Sequence, residues 1–72
     1  MSDAVEIASH GLTYRQVEVI RLISQGLSNK EVGSRLEIAE GTVKLHLRNI
    51  YMRLGLRNRT ALSVFAFRNL GS

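Results

Sequence analysis

The chain reads as an all-α domain: a compact four-helix unit containing a helix-turn-helix. Three observations predict this class. Apolar residues recur at helical rather than alternating spacing, two capping boxes mark helix starts, and glycines stand where helices should stop. With no proline among 72 residues, glycine supplies the punctuation. The expected helices cover about 13–25, 29–36, 40–54 and 58–70, inside a domain spanning 12–70.

The first helix begins at Thr13-Tyr14-Arg15-Gln16, where the Thr13 hydroxyl accepts from the Gln16 N–H and the Gln16 side chain reaches back. Val19, Ile20, Ile23 and Leu27 mark its apolar side, and Gly26 is placed to end it in the left-handed conformation. Ser28-Asn29-Lys30-Glu31 is the second capping box and opens a short amphipathic helix. Glu37-Ile38-Ala39 breaks the pattern before the third helix. There Val43, Leu47, Ile50 and Leu54 fall at i, i+4, i+7 and i+11, one apolar stripe. Gly55 closes that helix. The fourth helix carries Ala61, Leu62, Val64, Phe65 and Ala66, more apolar circumference than one small core needs, which suggests a partner. Phe65 and Phe67 project to different sides, and the alternative is that both rings fold back onto the first helix. Met1 to Gly11 has no sustained periodicity and reads as a flexible tail or linker remnant.

Composition excludes several classes. Without cysteine there is neither a disulfide framework nor a cysteine zinc site, and two histidines far apart make a poor metal site. No nucleophile–base pair and no phosphate-cradling glycine loop is visible, so an enzyme is not expected, nor any cofactor. No apolar run approaches a membrane span and no signal peptide is recognisable, so the expectation is a cytoplasmic protein without membrane contact. The formal charge is +4. Its distribution says more: all the acids lie at or before Glu40, whereas Lys44, Arg48, Arg53, Arg57, Arg59 and Arg68 follow with no acid among them. That asymmetry is an electrostatic footprint for a polyanion.

The third helix concentrates the chemistry. Opposite its apolar stripe lie Gly41, Thr42, Lys44, Leu45, Arg48 and Asn49, a cationic and hydrogen-bonding surface suited to the DNA major groove. Lys44 and Arg48 are one turn apart and donate only, so guanine O6 and N7 are their natural targets, and Arg48 can make the paired contact a lysine cannot. Leu45 beside them suits a thymine methyl, its alternative being a scattered surface leucine. Ser28, Asn29 and Lys30 at the positive end of the second helix are expected to meet phosphate, as are Thr42 and Asn49 on the third. His46, on the flank of this face, is expected to pack against the preceding helix, its alternative being a phosphate contact, and Tyr51 and Met52 are expected to contact the chain's own helices. Arg53, Arg57 and Arg59 are left between phosphate and the chain's own helix ends.

Leu12-Thr13-x-Arg15, Gly26-Leu27-Ser28-Asn29-Lys30-Glu31, Thr42-Val43-Lys44-x-His46-Leu47, Asn49-Ile50-Tyr51, Leu54-Gly55 and Arg57-Asn58-Arg59-Thr60 occur in that order. Together they resemble the LuxR-type helix-turn-helix domain, particularly its NarL/FixJ response-regulator branch. The resemblance implies a recognition helix over 40–54, base contacts at Lys44, Leu45 and Arg48, and a fourth helix that forms a homodimer, here through Leu62, Phe65 and Ala66. It further implies double-stranded promoter DNA as the partner, RNA polymerase as an additional one, and a bacterial transcription regulator controlled by an N-terminal domain in a two-component system. Excision from such a protein fits residues 1–11 better than a small stand-alone regulator does.

Three positions depart from the family pattern. Ala39 stands where Ser or Thr commonly caps the recognition helix, a loss of about 1 kcal/mol. Gly33 replaces a favoured Ala, which is sterically safe but disfavours helix by roughly 1 kcal/mol. Gln16 replaces Glu, keeping the capping box but not the charge. Region 4 of a sigma factor shares the Leu-Thr-x-Arg opening, but the continuation through Asn49-Ile50-Tyr51 to a fourth helix fits the LuxR type better. A different alternative is a protein-interaction module that binds another regulator; the retained Lys44 and Arg48 argue against it.

Overall fold

Thr13 and Gln16 cap each other as their spacing predicts: the Gln16 N–H donates to Thr13 Oγ1 at 3.1 Å, and the Thr13 N–H to Gln16 Oε1 at 2.9 Å. From that cap α1 runs Tyr14–Ser24, in a computed structural model that describes residues 11–70. The expected tail over residues 1–11 lies, but for Gly11, outside the described residues. Three more helices follow: α2 Asn29–Leu36, α3 Glu40–Leu54 and α4 Arg59–Asn69. All regular structure among the described residues is helical. The expected ends of the first and last helices, 13–25 and 58–70, include their capping residues Thr13, Gln25, Asn58 and Leu70.

Helix α1 is the hub, packing against α2, α3 and α4. This explains why Val17 and Leu22 are buried beside Val19, Ile20 and Ile23. A helix touched from three directions buries more than one stripe, so its single expected apolar side was too narrow. Ile20, Ile50 and Leu62 are fully buried at the centre, each worth about 1.5–3 kcal/mol of transfer free energy. Val43, Leu47 and Ile50 supply the core side of α3, with Leu54 partly buried at its end.

The turn between α2 and α3 sets the angle of the helix-turn-helix. Glu37 takes the left-handed conformation at φ 59°, and the Ile38 N–H returns to the Gly33 carbonyl at 2.9 Å. At Gly33 an added Cβ would lie 2.7 Å from the Ile38 carbonyl oxygen, a backbone atom that cannot swing aside. The glycine therefore does more than weaken α2: it lets the turn close at this distance. Arg21 Nη1 donates to the Leu70 carbonyl at 3.3 Å, tying the end of α4 to α1.

Candidate nucleic-acid interface

Helix α3 is anchored on one side and open on the other. Its core residues Val43 and Ile50 are fully buried, whereas Thr42, Lys44, Leu45, Arg48 and Asn49 are all exposed. Leu45 is 54% exposed between the two cations, an apolar group left more than half open to solvent. Lys44 Nζ stands 4.0 Å from Glu40 Oε2, both side chains well exposed, so solvent screens the pair and releases the lysine at little cost.

Two clefts flank this face. One lies between α3 and the starts of α2 and α4; Lys44, Arg48 and Arg59 bring three cations to it, beside Asn29. The other is lined by Gln16, Asn49, Met52 and Arg53. Of the residues expected to meet DNA, Asn29, Lys44 and Arg48 thus share one cleft although they come from segments separated in sequence, whereas Lys30 lines a different one with Glu31, Ser34 and Arg35.

The start of α2 is more occupied than the sequence suggests. The Ser28 N–H donates to Glu31 Oε1 at 2.8 Å, and the Glu31 N–H to Ser28 Oγ at 3.1 Å. This leaves the N–H groups of Asn29 and Lys30, which have no acceptor within the helix, as the backbone donors for an anion. The Ser28 backbone N–H, and next its hydroxyl, hold the Glu31 carboxyl below the usual glutamate range, with Arg35 adding a smaller charge effect.

Several side chains lie elsewhere than expected. Met52 is 72% exposed rather than packed on its own helices, because it follows Leu45 and Arg48 around the open side of α3. His46 and Tyr51 are half-buried, with Tyr51 against the core. On α4, Leu62 and Ala66 are fully buried and Phe65 packs partly onto the core, so Leu62 and Ala66 have no surface left for a partner. The exposed apolar residues of that helix are Val64 and Phe67, and the two phenylalanine rings do not both fold back. Arg59, unassigned from sequence, donates from Nη2 to the Leu27 carbonyl and from Nη1 to Asn29 Oδ1, each at 2.7 Å. Of the two destinations the sequence left open for Arg59, these bonds realise the chain's own helix ends.

Among the described residues no acidic or histidine cluster could hold a metal ion, and no helix is long and apolar enough to cross a membrane. An anchored helix, a tight turn and a cationic open face define a helix-turn-helix DNA-binding domain. Residues 10–66 match the family model described as bacterial regulatory proteins, luxR family. The chain therefore belongs to the LuxR family of DNA-binding transcription regulators. It is 41% identical over 61 residues to the nitrate/nitrite response regulator protein NarP of Escherichia coli (strain K12), covering 85% of this chain and 28% of NarP. It is 45% identical over 58 residues to the transcriptional regulatory protein LiaR of Bacillus subtilis (strain 168), covering 81% of this chain and 28% of LiaR. The LnrK regulator of the same organism is 44% identical over 57 residues, covering 79% of this chain and 26% of LnrK. The chain thus spans little more than a quarter of the length of these relatives.

Proposed function

We propose that this domain reads promoter DNA by inserting α3 into the major groove, with Lys44, Leu45 and Arg48 against base edges. Ser28, Asn29, Lys30, Thr42 and Asn49 meet the phosphates on either side and set the register without reading sequence. The observation that carries this reading is the exposure of Leu45 between Lys44 and Arg48 on a helix whose opposite side is locked into the core. Two copies occupy paired half-sites about one helical turn apart, roughly 34 Å. They meet through α4, by its exposed Val64 and Phe67 rather than its buried residues. The likeness to NarP supports a place as the output domain of a cytoplasmic two-component response regulator.

Fluorescence anisotropy on a random duplex and on a duplex recovered by in vitro selection tests the reading. Arg48→Ala is expected to cost about 1–3 kcal/mol on the selected site and to relax preference at one base pair, while Lys30→Ala weakens both duplexes alike. Affinity should fall steeply with salt as condensed counterions are released. Equal losses for Arg48→Ala on both duplexes would remove that residue from base reading. A folded protein that binds neither duplex at low salt would favour the protein-interaction module instead.

A further inference from the structure

Arg59 opens α4, yet its guanidinium acts at the start of α2. One nitrogen holds the Leu27 carbonyl and the other holds Asn29 Oδ1, both at 2.7 Å, across 32 and 30 residues of sequence. These are charge-assisted bonds made in the fork geometry that a lysine lacks. The bond to Asn29 has a chemical consequence. A carboxamide carries an acceptor oxygen and a donor NH2 in nearly equivalent positions, and an unguided asparagine can present either. A guanidinium only donates, so it dictates which end faces it: Oδ1 is engaged and Nδ2 is turned away. A phosphate oxygen only accepts, so Nδ2 is the end that DNA can use. Asn29 is also the first residue of α2, where the helix dipole favours an anion.

We propose that Arg59 is a positioning residue for DNA binding: it orients the Asn29 carboxamide with its NH2 presented to a backbone phosphate and fixes the start of α2 beside α3. This rests on the DNA-binding reading above. Because both acceptors are neutral, the guanidinium keeps its full charge and adds to the potential of the cleft it shares with Lys44 and Arg48.

The test compares wild type, Arg59→Lys, Asn29→Ala and the double variant on both duplexes through a salt series, with folding checked by circular dichroism. Arg59→Lys is expected to bind both duplexes about fivefold more weakly, the worth of one hydrogen bond. Its salt dependence should not change, since the charge is retained. In the Asn29→Ala background Arg59→Lys should cost less than it does alone, because the orienting contact is already gone and only the bond to the Leu27 carbonyl remains to be lost. Wild-type affinity in Arg59→Lys, or single losses that multiply in the double variant, would overturn the proposal while leaving DNA binding intact. A wild type that binds neither duplex overturns the DNA reading and this one together. The Asn29 side-chain amide resonances of the wild type provide a check independent of how any variant folds. They are expected to shift when duplex is added, and unmoved resonances on a bound duplex would also sink the proposal.

Discussion

Ala39 precedes α3 with the extended backbone of a helix cap, φ −67° and ψ 149°, but its methyl group accepts nothing. The Thr42 N–H instead reaches the Ala39 carbonyl at 3.0 Å, in a tightened first turn. A serine fits the same backbone and supplies the missing acceptor, so Ala39→Ser is expected to raise unfolding free energy by about 1 kcal/mol. Urea denaturation measures it, and an unchanged midpoint would show that the tight turn already satisfies this end. Glu37 is the second residue in tension with its place. Its left-handed φ of 59° costs a side-chain-bearing residue about 1–2 kcal/mol, borne because the turn it makes seats α3 on the core. The strain at Glu37 is not visible from composition, although the uncapped Ala39 could be read from its position before a helical pattern.

At the scale of elements, capping decides where each helix begins and titration can switch one cap off. The Glu31 carboxylate closes the α2 capping box, and its pKa in the folded chain is lowered by the Ser28 bonds. A lowered folded pKa means that this stabilisation is fully present above the pKa of the unfolded chain. It is lost as pH falls through the folded value. Thermal unfolding of wild type and Glu31→Gln as a function of pH checks this. Glutamine keeps a neutral acceptor, so the wild type should lose stability relative to the variant only in the acid range below ordinary glutamate titration. Parallel curves through that range would contradict the assignment. The helix starts were legible because Thr13-x-x-Gln16 and Ser28-x-x-Glu31 act within four residues of chain. Which side of α4 is buried was not legible: Leu62, Phe65, Ala66 and Phe67 spread around the helix, and only the docking of α1 selects among them.

For the whole molecule, the open apolar strip of α4 bears on assembly. Val64 is 45% and Phe67 73% exposed, one turn apart on the side facing away from the core. Phe67→Asp should leave binding to a single half-site unchanged and abolish cooperative binding to paired half-sites. Band-shift stoichiometry on the two duplexes reads this directly, and undiminished cooperativity would move the dimer contact off α4. The sequence by itself determined the four helices, the capping boxes and the cationic face of α3, because helical periodicity and capping are short-range and act through neighbours in the chain. It also carried the family, since the ordered motifs from Leu12 to Thr60 lie in continuous stretches. Tertiary structure alone decided that α1 is buried on several sides, that Leu62 and Ala66 face inward while Phe67 faces out, and that Arg59 meets Asn29. Those outcomes depend on contacts between residues far apart in the chain, and no periodicity within one helix encodes which neighbour it will meet.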